Sequence, residues 1–131
     1  MKKLLLLAFA GAMMATSALA DDIYGVWRTI ADDNGYYGHI DVYDCDGKIC
    51  GKLIGSFVAA DDSVYDSDNV GKMVIWDMQN LGGGEYGKGK IHSFDRDKTY
   101  KSKLTLTGDS LAVFGCVFGI CRDGGTWSRV N

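Results

Sequence analysis

Beyond its first twenty residues the chain alternates with a period of two. Between 99 and 107, Tyr100, Ser102, Leu104 and Leu106 fall on one side and Lys101, Lys103 and Thr105 on the other. Successive side chains of a strand point to opposite faces, so this pattern predicts a half-buried β-strand. Residues 36–43 repeat it, with Gly38, Ile40 and Val42 opposite Tyr37, His39, Asp41 and Tyr43, and 48–58 carries Ile49, Leu53 and Phe57 at even separations. Further strands are expected at 25–30, closed by Asp32-Asp33-Asn34-Gly35, at 111–115 after Thr107-Gly108-Asp109-Ser110, and at 125–130. Fainter alternation marks 73–78 and 87–94. Two stretches read as loops: 59–72, which holds Asp61, Asp62, Asp66 and Asp68, and 79–86, which holds Gly82-Gly83-Gly84.

About eight strands and no helical stripe long enough to cover a sheet predict an all-β antiparallel domain. Its apolar faces must bury one another, as a closed barrel or a sandwich. Closure also removes sheet edges, which this chain cannot blunt with proline because it has none. The alternation places Ile40, Val42, Ile49, Leu53, Phe57, Ile91, Leu104, Leu106, Leu111 and Val113 inward, with Tyr100 and Ser102 as polar exceptions. An eight-stranded barrel is either filled by such side chains or holds one small ligand. For the second case the candidate contacts are Ile40, Val42, Leu53, Phe57, Tyr100, Ser102, Leu104, Leu106 and Val113, a lining suited to an apolar or amphipathic molecule.

The N-terminus has a different character. Met1-Lys2-Lys3 is basic, 4–15 is almost unbroken apolar, and Ala18-Leu19-Ala20 is a small-x-small cleavage site, so 1–20 reads as an export signal cut before Asp21. The apolar run is short for a membrane span, and no second one follows. Removal of the leader, with Lys2 and Lys3, leaves 111 residues in a single domain, 21–131, with 12 basic and 17 acidic side chains and a net charge of −5. Such a surface repels phosphate backbones and anionic lipid headgroups, so neither nucleic acid nor an electrostatically held membrane is an expected partner.

Export changes the meaning of the four cysteines, Cys45, Cys50, Cys116 and Cys121, which form two pairs of equal spacing. In an oxidising compartment they read as a disulfide framework rather than a metal site. Three connectivities exist, and local pairing is favoured because each pair flanks a turn, Asp46-Gly47 in one and Gly119 in the other. No Cys-x2-Cys spacing or basic neighbour marks a redox thiol.

Catalytic signals are sparse. His39 and His92 are the only histidines, and neither a nucleophile elbow, a phosphate loop nor a metal-binding histidine pair is present. Asp66-Ser67-Asp68-Asn69-Val70-Gly71 is similar to the start of a calcium loop, but Val70 takes a ligand position and Glu is missing from the twelfth place. No cofactor or metal is therefore expected.

The ordered set Gly25-Val26-Trp27, Val42-Tyr43-Asp44-Cys45, Ile49-Cys50-Gly51-Lys52-Leu53, Lys98-Thr99-Tyr100, Leu104-Thr105-Leu106, Leu111-Ala112-Val113-Phe114-Gly115-Cys116 and Trp127-Ser128-Arg129-Val130 resembles the bacterial exported family catalogued as domain of unknown function 2147. The resemblance spans 23–131 and implies a lipocalin-like eight-stranded barrel in the periplasm. Gly25-Val26-Trp27 is similar to the Gly-x-Trp of the first lipocalin strand. There a C-terminal arginine lies over the tryptophan and closes one end of the barrel; Arg129 would match it, with Arg122 the weaker candidate. The alternative is that Trp27 and Trp127 are simply two core aromatics.

Three functional readings follow. The leading one is an exported carrier or sensor of a small apolar ligand. The second is a filled barrel acting as an envelope interaction module through exposed Tyr36, Tyr37, Tyr43, Tyr65 and Trp76. An enzyme is the third and least supported.

Overall fold

The computed structural model describes residues 22–131, so the expected leader lies outside the described residues. Eight antiparallel strands follow in chain order: β1 (Gly25–Arg28), β2 (Tyr36–Cys45), β3 (Lys48–Val58), β4 (Met73–Gly82), β5 (Glu85–Ser93), β6 (Lys98–Thr107), β7 (Ser110–Val117) and β8 (Ile120–Arg129). Each pairs with the next, and β8 returns to β1 through Trp27 opposite Arg129 and Arg28 opposite Ser128, which closes the barrel.

Up-and-down order sorts the connections to two ends. At one end are three tight turns, Asp46-Gly47, Gly83-Gly84 and Gly108-Asp109; we call this the turn end. The longer connections at 29–35, 59–72 and 94–97, together with Phe118-Gly119, form the loop end. Both disulfides are local, Cys45 with Cys50 and Cys116 with Cys121. Because the first clasps the β2–β3 turn and the second the β7–β8 turn, one lies at the turn end and the other at the loop end.

The core is the inward set of the alternating strands: Ile40 and Val42 from β2, Ile49 and Leu53 from β3, Leu104 from β6, and Leu111 and Val113 from β7. Ile23, Trp27, Val74, Ile75, Met78, Tyr86 and Trp127 complete it, while Tyr24, Ile91, Phe94 and Leu106 pack against it half-buried.

Three expectations need correction. Strand β4 runs to Gly82, so the expected loop at 79–86 shrinks to a tight turn, because Asn80 and Gly82 pair with Tyr86 and Glu85. Strand β8 begins at Ile120 rather than 125, since the second disulfide holds Cys116 opposite Cys121 and the ladder starts there. Phe57 faces outward. His39 pairs with Gly55 but Ile40 pairs with Leu53, so Ile54 is an extra residue, a β-bulge that reverses the parity of the rest of β3. Ser56 takes the inward place and is buried.

Candidate functional site

The barrel is solid at its middle. Trp27, Ile75, Met78, Leu104 and Leu111, from strands around the whole circumference, have 0% of their surface accessible. A side chain with no accessible surface borders no void large enough for water. Ile40, Val42, Leu53, Leu104 and Val113, nominated as ligand contacts, are here occupied with one another. Towards the loop end the filling becomes polar and shallower. Ser102 is buried and donates its hydroxyl to the Phe114 carbonyl at 2.7 Å, and half-buried Tyr100 lies where a side chain at Gly115 would be, 3.4 Å from its notional Cβ.

At the turn end, Trp27 and Arg129 come together. The guanidinium carbon stands 4.3 Å from the indole centroid. Its two terminal nitrogens donate to the Tyr24 carbonyl at 3.1 Å and the Asp22 carbonyl at 2.7 Å, while Nε donates to Asp109 at 2.9 Å. Trp27 Nε1 donates to the Ile23 carbonyl at 2.9 Å, and Ile23 is wholly buried beneath the same segment. The chain entering β1 is thereby tied across the end of the barrel. Arg122 is not part of this arrangement: it pairs with Gly115 near the loop end.

An open cleft of about 490 Å³ lies on the outer flank, between the loops at 59–72 and 94–97. Met73 and Trp76 of β4 form one wall and His92 of β5 with Phe94 the other, with Asn69, Lys72 and Asp97 at the rim. Met73 and Trp76 are three positions apart, with Val74 and Ile75 between them, a spacing that would put them on opposite faces of a regular strand. Lys52 pairs with Met73 while Gly51 pairs with Ile75, so Val74 is a bulge, and it restores both to the outside. The walls are braced. Tyr43 donates to Met73 Sδ at 3.5 Å, Lys72 donates to Asn69 at 3.1 Å, and the rings of His92 and Phe94 meet edge to face at 5.1 Å. His92 has both nitrogens engaged, Nδ1 with the Thr99 hydroxyl at 2.9 Å and Nε2 with Asp97 at 3.5 Å. Asp97 is almost fully exposed, so this Thr-His-Asp sequence of contacts sits in water and fixes the imidazole rather than assembling a sheltered nucleophile. Of the cleft, Trp76 and His92 stand out in the sequence and Asn69 only as part of the calcium-like stretch; Met73 does not, because a bulge leaves no mark on period-two alternation, nor do Lys72, Phe94 and Asp97, which lie on loops without a period.

A second outer cluster surrounds the displaced Phe57. Its ring lies 5.2 Å from that of Tyr37 and 4.6 Å from that of His39. Arg28 covers Tyr37 at 4.0 Å and approaches Asp62 at 3.8 Å, and the Tyr37 hydroxyl donates to Asp62 at 2.7 Å. Tyr37 is therefore buried under its neighbours, not part of an exposed aromatic face, and Tyr36 stacks on Tyr65 at 3.9 Å. The bond to the Asp62 carboxylate, with burial, raises the Tyr37 pKa. Burial, and then the Arg28 charge, lower that of His39. Among the described residues no group of three or more His, Cys, Asp or Glu side chains is placed to hold a metal ion.

Comparison with solved structures gives protein HP1028 from the human pathogen Helicobacter pylori, described as belonging to the lipocalin family. It superposes with a TM-score of 0.65 over 86% of this chain and 85% of that one, at 16% identity, so the two share a fold. No curated protein matches. The family model described as an uncharacterized protein conserved in bacteria, domain of unknown function 2147, matches residues 25–129, and the chain belongs to that family.

Proposed function

We propose that this protein works outside the cytoplasm, in the periplasm, as a binder of a small amphipathic, ring-bearing molecule, and that the ligand sits in the flank cleft rather than in the barrel. The cleft itself carries the reading. Its volume of about 490 Å³ lies within the ~300–1,000 Å³ usual for small-molecule sites. Trp76, Phe94 and Met73 offer apolar faces for a planar ring, and Lys72, steadied by Asn69, offers a cation to an acidic substituent. The packed barrel centre removes the competing place for a ligand of that size. The lipocalin-family likeness supports small-ligand binding as a class of function. Two disulfides, which persist in oxidising compartments, and the leader at 1–20 support export.

Of the three tryptophans, Trp27 and Trp127 are buried and Trp76 borders the cleft, so Trp76 is the one that a bound probe touches, and the probe's own emission is the readout. Titration with 1-anilinonaphthalene-8-sulfonate should saturate, and Trp76→Ala should weaken binding about tenfold or more, the worth of one buried aromatic contact. Equal affinity in the variant would place the site elsewhere. Failure of wild type to bind the probe, with nothing retained in native mass spectrometry of protein taken from its own periplasm, would end the proposal.

A further inference from the structure

A two-residue turn beside a Cys-x4-Cys disulfide occurs at both ends of this barrel, with the clasp set differently: Cys45 directly precedes its turn and bonds Cys50, which pairs with Tyr43, whereas Cys116 stands opposite Cys121 one pair back from its turn. At the turn end the central pair is Asp46-Gly47, with φ of 55° and 87°; at the loop end it is Phe118-Gly119, with φ of 52° and 79°. Both central residues are left-handed, the geometry for which hairpins take Asn-Gly or Asp-Gly, because a short polar side chain tolerates positive φ. Phenylalanine does not, and held there it stores backbone strain. Nor does packing compensate: Phe118 is 99% exposed, with Val117 at 48% and Ile120 at 66% beside it. A strained turn that presents three apolar side chains to solvent has a use that neither folding nor the core explains.

We propose that the hairpin tip Val117-Phe118-Gly119-Ile120 is a membrane-docking prong, which inserts Phe118 into the interfacial layer of a zwitterionic phospholipid bilayer. Shape favours a bilayer. The tip is convex and Phe118 touches almost nothing of its own molecule, so its partner must close around it from all sides, as lipid does. Charge favours it too. Lys101, opposite Cys116 in the ladder, and Arg122, next to Cys121, are exposed just behind the tip, where they can reach phosphate groups while the apolar residues enter the layer. The disulfide holds the tip in position, so little conformational freedom remains to be lost on insertion. Exposed apolar side chains occur at both ends, Ile30, Val64 and Val70 on loop-end connections and Leu81 and Val130 at the turn end, but only Phe118, 99% exposed, stands at the tip of a turn. The zwitterionic choice follows from Asp61, Asp62, Asp66 and Asp68, which share the loop end and oppose an anionic surface. None of this depends on what the flank cleft holds.

Phe118→Asn is the decisive variant, because Asn-Gly suits the turn and the protein should fold at least as stably as wild type. In co-sedimentation with phosphatidylcholine–phosphatidylethanolamine vesicles, wild type should partition to the lipid with weak salt dependence. Phe118→Asn should lose about tenfold or more of that partitioning, while Phe118→Trp should keep it and blue-shift its emission on vesicles. The proposal fails if wild type stays in the supernatant or Phe118→Asn partitions equally. It fails also if the substitution abolishes self-association instead, which would assign the prong to a second copy of the chain.

Discussion

Replacing Arg129 by Met tests whether the end of the barrel is closed by a charge. The substitution keeps the aliphatic stem and removes the guanidinium, so packing loss is small and the polar contribution is isolated. Four contacts disappear. The cation over the Trp27 ring at 4.3 Å, with an arginine side chain 21% exposed, is worth about 1 kcal/mol. The donations to the Tyr24 and Asp22 carbonyls are charge-assisted but partly open to water, which sets them near 1 kcal/mol each. Asp109 is 85% exposed, and its pair with Arg129 adds only a few tenths of a kcal/mol. The expected loss is therefore about 3 kcal/mol, a fall in Tm of about 15 °C for a domain of this size. Thermal unfolding followed by near-ultraviolet circular dichroism, which senses the Trp27 environment, measures it. Arg129→Lys, which keeps the charge without the fork, should lose about half as much, and Asp109→Asn less than ~0.5 kcal/mol. Hydrogen exchange should quicken at residues 22–24 in Arg129→Met and not in Asp109→Asn. A Tm change under 3 °C in Arg129→Met, or equal losses in the methionine and asparagine variants, would refute the reasoning.

Two more outcomes follow from the geometry. A Cβ at position 89 would stand 2.7–2.8 Å from Met78 Cα, Met78 N and the Trp76 carbonyl oxygen, all main chain and unable to give way, so Gly89→Ala should cost about 3 kcal/mol or more in urea unfolding; an unchanged midpoint would mean that β4 can move aside. His39 has a depressed pKa in the fold, so it binds fewer protons there than in the unfolded chain: its contribution to stability is complete above about pH 6.5, the ordinary histidine value, and is lost as pH falls through the lower folded value. Urea midpoints between pH 7.5 and 5 should therefore fall more steeply in wild type than in His39→Gln, and parallel curves would show that burial and Arg28 do not act on it.

Alternation found the strands because a period of two is all that a regular strand requires, but it left a barrel and a sandwich open, and the family resemblance pointed to the barrel. Leu104, Leu111, Val113, Ile40 and Val42 entered the core as read, and the cysteine pairs closed locally because each flanks a turn. Errors began where the ladder gains a residue. Ile54 turned Phe57 outward and built the cluster with Tyr37 and His39, and Val74 brought Met73 and Trp76 to the same side. A bulge is a property of two strands and their register, so neither strand's own pattern records it. The extent of β8 was hidden similarly: Arg122, Asp123, Gly124 and Gly125 show no alternation, and their pairing comes from β7 across the clasped turn.

These irregularities have a common consequence for where a small barrel can bind. An eight-stranded barrel whose inward positions carry large side chains from every quarter leaves no space at its axis. Binding must then occur on the outer wall or the rims, where a regular strand offers only the polar half of its alternation. A bulge breaks that limit, because it exposes two apolar neighbours on one face; Met73 and Trp76 do so beside Val74, and Phe94 meets them from a loop. The two-residue turn is the other place where the alternation has no hold. Asp46 and Phe118 occupy the same position of a two-residue turn with nearly the same φ, which suits aspartate and strains phenylalanine, so the turn itself does not call for the phenylalanine.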